Sequence, residues 1–402
     1  EAQTEAQKQM IPEKEIRDRS NLYVEEKLED QPKDIAGALR QITAYLTANG
    51  YSCDVNAVTN YYLCLKASPM VLVTGVAGIG KSTFVRLFAE ALGANAQNGR
   101  FKSIPVRPSW HNAEGLLGHC DPSGHFIPGA MLDFVASAVE NPDKPYFLCL
   151  DEMTLQKVEI YFSEILSVMG GRRSKGQKII TDPILGAEAF GMDEESRVYY
   201  GDLTIPENLF MIGTISSEAV EEEISAKLLD QSSVIELGQP DLKLMPAPNA
   251  TPKVMAWGSE FLKRDIFHLS TVTNHRKMIV EVITLLDAMN GILSKADAQI
   301  GFRVRDEICY YLYYNAEYGL MTQEAALDYA ITQKLLPRIS GNSSETENVL
   351  IDLFKICAGT QADTAIKTYS GEGGLFPHCA NKLSQMDHAF NQTGKVSYWK
   401  NK

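Results

Sequence analysis

The sequence predicts an α/β fold, in which a mostly parallel five-stranded sheet lies between helices and an all-helical lid follows. Two observations carry this prediction. Up to about residue 240, short apolar runs alternate with helical periodicity, as expected for strands that are covered on both faces. Beyond about residue 262, apolar runs of strand length stop and only helical spacing continues. The five candidate strands are 70–74, 102–106, 146–150, 209–213 and 233–237.

The same patterns divide the chain into three regions. Residues 1–33 are dense in charge and poor in apolar side chains, which indicates a charged linker or the stub of an N-terminal domain. Residues 34–240 form the α/β core with its leading helices, and the polar stretch 171–204 is predicted to be an insertion that projects from it. Residues 241–402 form the helical lid. Its candidate helices are 275–289, 304–318, 322–336, 346–357 and 379–390.

Composition and charge argue against several classes of protein. The chain contains no apolar run of about 18 residues, so we expect no membrane span. A formal net charge of −13 argues against a surface that coats nucleic acid. Any contact with DNA is expected to be indirect, or local within a pore. Seven cysteines without a Cys-x-x-Cys pair indicate reduced thiols in a cytoplasmic protein.

The most specific motif is the glycine-rich segment 75–82, which fits the phosphate-loop pattern G-x-x-x-x-G-K-[ST]. An apolar strand precedes it and a helical pattern follows, which is the context that the motif requires. Backbone N–H groups and the positive end of the helix would surround phosphate oxygens. Lys81 would reach the outer phosphates, and the Ser82 hydroxyl would ligate Mg²⁺. The predicted nucleotide-binding residues are Gly75, Val76, Ala77, Gly78, Ile79, Gly80, Lys81, Ser82 and Thr83.

A second apolar strand, 146–150, ends in the acidic pair Asp151 and Glu152. Asp151 would reach the metal through water, and Glu152 is the candidate base that polarises an attacking water. Following a phosphate loop, with a strand and a helix between the two, this pair predicts the second half of a nucleotide site. The expected reaction is hydrolysis of ATP or GTP with Mg²⁺, and the sequence does not distinguish the two bases.

Several further segments are distinctive, both around the two halves of the predicted nucleotide site and in the lid. They are 58–66, 105–110, 116–118, 151–162, 208–214, 227–231, 234–236, 301–303 and 376–383. Together they resemble the McrB-like branch of AAA+ motors, the nucleotide-driven subunits of modification-dependent restriction systems. The resemblance runs from about residue 55 to the C-terminus and does not include residues 1–33.

This resemblance implies a ring, usually of six subunits, that holds nucleotide between neighbours. Such a ring stimulates a separate McrC-like endonuclease subunit and acts on DNA in antiviral defence. Carried over residue by residue, the glycines, Lys81 and Ser82 match the phosphate loop, while Asp151 and Glu152 match the acidic pair. Arg303 takes the place of a lid arginine that approaches the γ-phosphate of its own subunit.

Four positions depart from the family pattern. The polar residue at the end of the fourth strand, usually Asn, is Ser216, which can donate only one hydrogen bond. The arginine that would act on a neighbouring subunit is Gln231, and a neutral amide supplies no positive charge. Thr154 and His378 replace a further Asn and a further Arg. Hydrolysis is therefore expected to be weak or dependent on a partner's arginine, and an arginine introduced at position 231 is expected to raise turnover.

Two classes of function remain open at this point. The first is an AAA+ nucleoside triphosphatase that drives or regulates a McrC-like nuclease. The second is a nucleotide-binding regulatory subunit, or a MoxR-like chaperone that remodels a protein. DNA-stimulated hydrolysis would favour the first, and nucleotide binding without turnover would favour the second. A small-molecule kinase fits less well, because such enzymes rarely combine an Asp-Glu strand with a separate helical lid.

Overall fold

A computed structural model of the chain describes residues 28–176, 178–220, 224–238, 243, 253–265, 268–359, 366, 369 and 373–399. Most of the predicted linker, residues 1–27, lies outside this part of the chain. Residues 28–33 of the linker are described, and Glu29 among them forms a parallel β-bridge with Trp257. The bridge ties the start of the described chain to the segment that follows the sheet.

The described chain begins with two helices, continues through the strands and helices of the core, and ends mostly in helices. In chain order the elements are α1 Ile35–Ala48, α2 Val55–Ala67, β1 Met70–Gly75, α3 Lys81–Ala91, β2 Phe101–Pro105, α4 Glu114–Leu117, β3 Gly118–Cys120, β4 Phe126–Pro128, α5 Leu132–Glu140, β5 Tyr146–Asp151, α6 Val158–Tyr161, α7 Ser163–Gly170, β6 Arg173–Lys175, β7 Lys178–Ile180, α8 Glu194–Tyr200, β8 Leu209–Ser216, α9 Ala226–Leu229, β9 Ser232–Glu236, α10 Arg276–Leu293, α11 Phe302–Tyr318, α12 Gln323–Lys334, β10 Ser340–Gly341, α13 Ser344–Ala358, α14 Pro377–Thr393 and β11 Val396–Ser397.

A five-stranded parallel sheet forms the centre of the α/β core, in the order β2-β5-β8-β1-β9. Every residue of β1 and β8 is buried, which explains why these strands are continuous apolar runs rather than alternating ones. All five predicted strands are confirmed, and β8 continues beyond its predicted end as far as Ser216. The fold is an α/β core with a glycine-rich loop after β1, followed by a helical region.

Helix starts follow local side-chain signals. Asp34 caps α1 by accepting a hydrogen bond from the backbone N–H of Gly37. Asp54 caps α2 in the same way through the N–H of Ala57, as its position before an apolar helical pattern predicts. α2 is almost entirely buried and leads directly into β1, so it belongs to the interior of the core.

The predicted insertion 171–204 contains an antiparallel hairpin, β6 with β7, and the short helix α8. Within it, the segment 184–203 forms a closed loop, because the N–H of Ile184 donates to the carbonyl of Leu203 at 2.8 Å. A second antiparallel hairpin, β3 with β4, lies between α4 and α5. Both hairpins lie outside the central sheet.

The five predicted lid helices are present as α10 to α14, with small shifts at their ends. The segment before them belongs to the core by its contacts. Met255 N donates to Ala91 O and Ser259 N donates to Asp143 O, both at 2.7 Å. All seven cysteines have free thiols. Within the described residues, no helix is both long and apolar enough to cross a bilayer.

Buried polar groups join the lid to the amino ends of the sheet strands. Lys334, at the end of α12, forms an ion pair with Glu307 of α11 and donates to Ser232 O at 2.8 Å. Glu307 also accepts from the hydroxyl of Ser68 at 3.0 Å, just before β1. Removing one member of a buried pair leaves the other charge uncompensated, so these contacts hold α11 in one position against the sheet.

Lys66, at the end of α2, is 4% exposed, and burial lowers its pKa from 10.5 to about 8. Between these values the folded state holds fewer protons than the unfolded state, so the free energy of unfolding rises with pH. Relative to Lys66→Met, we expect the wild type to gain about 2 kcal/mol between pH 7 and pH 9.5. Urea unfolding at four pH values measures this difference, in which groups common to both proteins cancel. A difference that does not change with pH would contradict the prediction.

Candidate functional site

The phosphate loop joins β1 to α3 at the carboxyl ends of the sheet strands. Three of its glycines have positive φ angles: 156° at Gly75, 79° at Gly78 and 91° at Gly80. A Cβ atom at Gly80 would lie 3.0 Å from a ring carbon of Tyr51, so a larger residue would meet both backbone strain and a crowded neighbour. The loop therefore has the backbone that its sequence pattern predicts.

Lys81 begins α3, and its side chain turns back under the loop. The residue is 6% exposed. Its ammonium donates to the carbonyls of Gly75 and Val76, each at 3.2 Å, and to Ser216 Oγ at 3.0 Å. A buried ammonium has three donors and gains most from anionic acceptors. Phosphate oxygens that enter the loop would compete for these donors.

The acidic pair lies at the end of β5, beside the loop: Asp151 is the last residue of the strand and Glu152 follows it. Asp151 Oδ1 accepts from Ser82 Oγ at 2.5 Å and from Thr214 Oγ1 at 2.7 Å. Glu152 has a φ angle of 53°, in the left-handed region. This turn, made directly after the strand, allows Glu152 Oε1 to accept from Ser216 Oγ at 3.0 Å. The carboxylates of both residues therefore lie at the same site, although consecutive side chains of a strand point to opposite faces.

Thr214 is a site residue that the sequence reasoning did not single out. Its hydroxyl donates to Asp151 and accepts from the backbone N–H of Glu152 at 2.9 Å. Thr214 and Ser216 are two residues apart in β8, so their side chains lie on the same face of the sheet. Two hydroxyl residues with this spacing at the end of an apolar strand were the signal available in the sequence.

The donor set fits a magnesium–nucleotide complex. Across the described ranges, no three His, Cys, Asp or Glu side chains converge on a point. The Ser82 hydroxyl and the Asp151 carboxylate do meet, and oxygen ligands of this kind are those that Mg²⁺ prefers. Mg²⁺ usually retains several waters and takes its remaining ligands from phosphate, so two protein oxygens suffice.

Arg303 and Gln231 lie at the amino ends of the sheet strands, at the end of the sheet opposite the phosphate loop. Arg303 Nη2 donates at 2.8 Å to the carbonyl of Gly170, where α7 ends. Gln231 is 1% exposed, and its amide donates to Leu166 O at 2.7 Å. The backbone carbonyl of Gln231 accepts from the N–H of Met70, the first residue of β1. The length of β1 places these amino ends roughly 16 Å from the phosphate loop.

Two expectations change as a result. The prediction that Arg303 approaches the γ-phosphate of its own subunit gains no support from this arrangement, in which Arg303 contacts Gly170 at the amino ends of the strands. The expectation that an arginine at position 231 raises turnover also loses its basis. That position is buried within the chain, and an unpaired guanidinium there would cost several kcal/mol.

The lid residue beside the loop is Lys382 of α14, which the sequence reasoning missed. Its ammonium forms an ion pair with Glu236 at 2.6 Å and lies 4.2 Å from the ring centre of Tyr398. Glu236 pairs in register with Thr74, the residue before the loop. Burial lowers the pKa of Lys382, and the Glu236 carboxylate opposes this effect. Lys382 lies within the distinctive segment 376–383, but no role beside the loop was predicted for it.

The two substituted positions Thr154 and His378 have structural surroundings. Thr154 Oγ1 is buried and has no hydrogen-bond partner among the described residues. His378 stacks on Tyr329 with ring centres 4.8 Å apart. Its backbone N–H donates to the buried carboxylate of Asp328, which also accepts from the N–H of Cys379. The carboxylate thereby caps the start of α14.

Comparisons with known proteins place the chain only broadly. A family model described as a domain of unknown function, DUF8727, matches residues 252–396, which is less than half of the chain. No curated protein matches the sequence.

Two solved structures are similar in fold. A protein of Cytophaga hutchinsonii ATCC 33406, named as a candidate ATPase, has 12% sequence identity and a TM-score of 0.45, over 76% of this chain and 88% of that one. A full-length MCM homologue from Methanopyrus kandleri has 8% identity and a TM-score of 0.39, over 76% of this chain and 61% of that one. Similarities at this level assign no activity to the chain.

Proposed function

We propose that this protein is an AAA+ nucleoside triphosphatase that binds ATP or GTP with Mg²⁺ at the phosphate loop. One observation carries the proposal: Lys81, Ser216 and Glu152 form one chain of hydrogen bonds, and Ser82, Asp151 and Thr214 form another beside it. An ammonium, hydroxyls and two carboxylates thus surround the end of one glycine-rich turn. This set matches what binding and hydrolysis of a triphosphate require.

The residues divide the work as follows. Lys81 and the loop N–H groups would bind the outer phosphates, and Ser82 and Asp151 would hold the metal. Mg²⁺, when bound, would neutralise charge on the phosphate oxygens. Glu152 would accept a proton from the water that attacks the γ-phosphorus, as the bond to the β-phosphate oxygen breaks. Ser216 donates to one oxygen of Glu152, so the hydroxyl would orient the carboxylate for this transfer.

Among motors of this type, we propose the McrB-like role: a ring that drives or regulates a McrC-like endonuclease on DNA. The support is the sequence resemblance over residues 55–402. A second candidate is a nucleotide-binding regulatory subunit or a MoxR-like remodelling chaperone. The burial of Gln231 favours it, because this side chain supplies no charge to a neighbouring subunit and full activity would need an arginine from elsewhere.

The test is a steady-state turnover assay with ATP and with GTP, with and without DNA, on the full chain. For the motor we expect phosphate release that DNA increases at least about threefold. Tight binding of either nucleotide without phosphate release, whatever DNA is added, would support the regulatory subunit instead. Failure to bind either nucleotide would contradict both candidates. Mass measurement with and without nucleotide would show whether a ring forms.

A further inference from the structure

A cavity lies at the amino ends of the strands, at the end of the sheet opposite the phosphate loop. We call it the amino-end cavity. Its walls come from the end of α2, the residues just before β1, the start of β8, the chain after α7 and the segment 262–264. Its volume is about 50 Å³. One water needs about 10–15 Å³ on this measure, so the space fits an anion such as phosphate rather than a whole nucleotide.

The charge of the lining is strongly positive. Lys66, Arg172, Lys263 and Arg264 line the cavity, while Glu207 is the single acidic residue of the lining. The chain as a whole has a formal net charge of −13, so this concentration of cations runs against its average. Positive side chains in a concave, low-dielectric site strengthen the local field and attract anions.

Some of these charged groups have a hydrogen-bond or ion-pair partner within the chain and some do not. Lys66 donates to the carbonyl of Lys263, and Lys263 forms an ion pair with Glu260 at 3.1 Å. Glu207 Oε1 accepts a hydrogen bond from the backbone N–H of Ile179 at 3.0 Å. The lysines and the carboxylate therefore have partners within the chain.

The two arginines differ from the lysines. Within the described ranges, neither guanidinium donates a hydrogen bond to a carboxylate or a carbonyl. Arg264 lies over the ring of Tyr310, 4.5 Å from its centre. Burial lowers the pKa of Arg172 to about 10. The positive charge of Arg264 acts in the same direction, so the two guanidinium groups repel each other, while the carboxylates of Glu307 and Glu207 oppose this shift. Two like charges kept together without an acceptor are stabilised by an anion that contacts both.

We propose that the amino-end cavity is a binding site for one phosphate-class oxyanion, held by Arg172 and Arg264. The planar forks of the two guanidinium groups suit phosphate oxygens, and Lys66 adds a further positive charge to the lining. The phosphate could belong to a free ligand or to nucleotide held by a neighbouring copy of the chain. Both sources share the same chemistry at the two arginines.

The phosphate loop would itself bind phosphate, so the test uses a Lys81→Ala background. Inorganic phosphate is titrated into this full-chain variant by calorimetry and by ³¹P NMR. For a free ligand we expect one bound phosphate, and at least tenfold weaker binding when Arg172→Met is added. The matched control is Arg173→Met, which removes the same charge from the next residue, where it forms an exposed ion pair with Asp182. It should change the affinity by less than twofold.

A second arm tests the neighbouring copy as the source. If Lys81→Ala binds no free phosphate, Arg172→Met should lower nucleotide turnover of the otherwise native protein at least tenfold. Mixing it with Lys81→Ala should then restore part of the turnover, since each variant supplies what the other lacks. Thermal unfolding shows whether Arg172→Met is folded. A second variant, Arg264→Gln, tests whether the loss of binding or turnover recurs when the other arginine is replaced. The proposal is overturned if Arg172→Met and Arg173→Met behave alike in both arms. Nucleotide hydrolysis could still be intact in that case, so the two proposals fail separately.

Discussion

A Lys81→Ala variant is expected to lose at least about 100-fold in affinity for ATP and for GTP. The Lys81 ammonium is buried and lies against two loop carbonyls and Ser216, directly beneath the glycine-rich turn that would hold the phosphates. Hydrogen bonds between an ammonium and phosphate are charge-assisted, and losing about 3 kcal/mol corresponds to roughly 100-fold. Fluorescent nucleotide titration measures the change.

Arg86→Ala is the matched control for this substitution. Arg86 lies on the same helix and its partner is Glu90, at 2.6 Å, rather than the phosphate loop. Removing one positive charge from α3 at this position should leave nucleotide affinity within about twofold, because exposed ion pairs contribute little. Equal affinity of the wild type and Lys81→Ala would mean that the phosphate loop is not the nucleotide site.

A Glu152→Gln variant is expected to bind nucleotide as well as the wild type and to hydrolyse it about 100-fold to 1,000-fold more slowly. The amide oxygen can still accept the hydrogen bond from Ser216, so the geometry of the site should persist. The amide cannot take a proton from water, and general bases contribute about 10²–10⁴ in rate. Single-turnover phosphate release and nucleotide titration on the same sample separate the two effects.

Glu159→Gln provides the control for this second variant. Glu159 is an exposed residue of α6 that follows the acidic pair by only a few positions. Its substitution removes the same charge without touching Asp151, Ser216 or Thr214, so turnover should stay within about twofold of the wild type. A Glu152→Gln rate equal to that of Glu159→Gln would exclude Glu152 as the base.

The sequence alone was sufficient wherever the signal is local. A phosphate loop is a short turn whose glycines and lysine must follow each other, so the order of residues 75–83 is enough to assign it. The five strands were predicted because strands covered on both faces must be apolar along their whole length. The acidic pair was predicted from its place directly after such a run, with a strand and a helix between it and the phosphate loop.

Contacts between distant segments required the tertiary structure. β8 lies between β1 and β5 although long stretches of chain separate the three strands, and this order brings Ser216 to Lys81 and Thr214 to Asp151. No local pattern predicts strand order, because it depends on how every crossover packs. Ser216 was recognised only as a departure from a family pattern, and its link between the loop lysine and Glu152 became visible in the fold.

The placement of the basic residues was likewise decided by the packing of the lid. A sequence can show that an arginine begins a helix, but the edge of the sheet that the helix reaches depends on buried contacts such as those of Glu307 with Lys334 and Ser68. These contacts put Arg303 beside α7 and leave Lys382 next to the loop. Local sequence patterns therefore determined which residues form the phosphate loop and the acidic pair. The buried interface between lid and sheet determined which positively charged side chains lie beside them. The reason is that the charge of a side chain follows from its residue type, whereas its position in the fold depends on the packing of every element between it and the site.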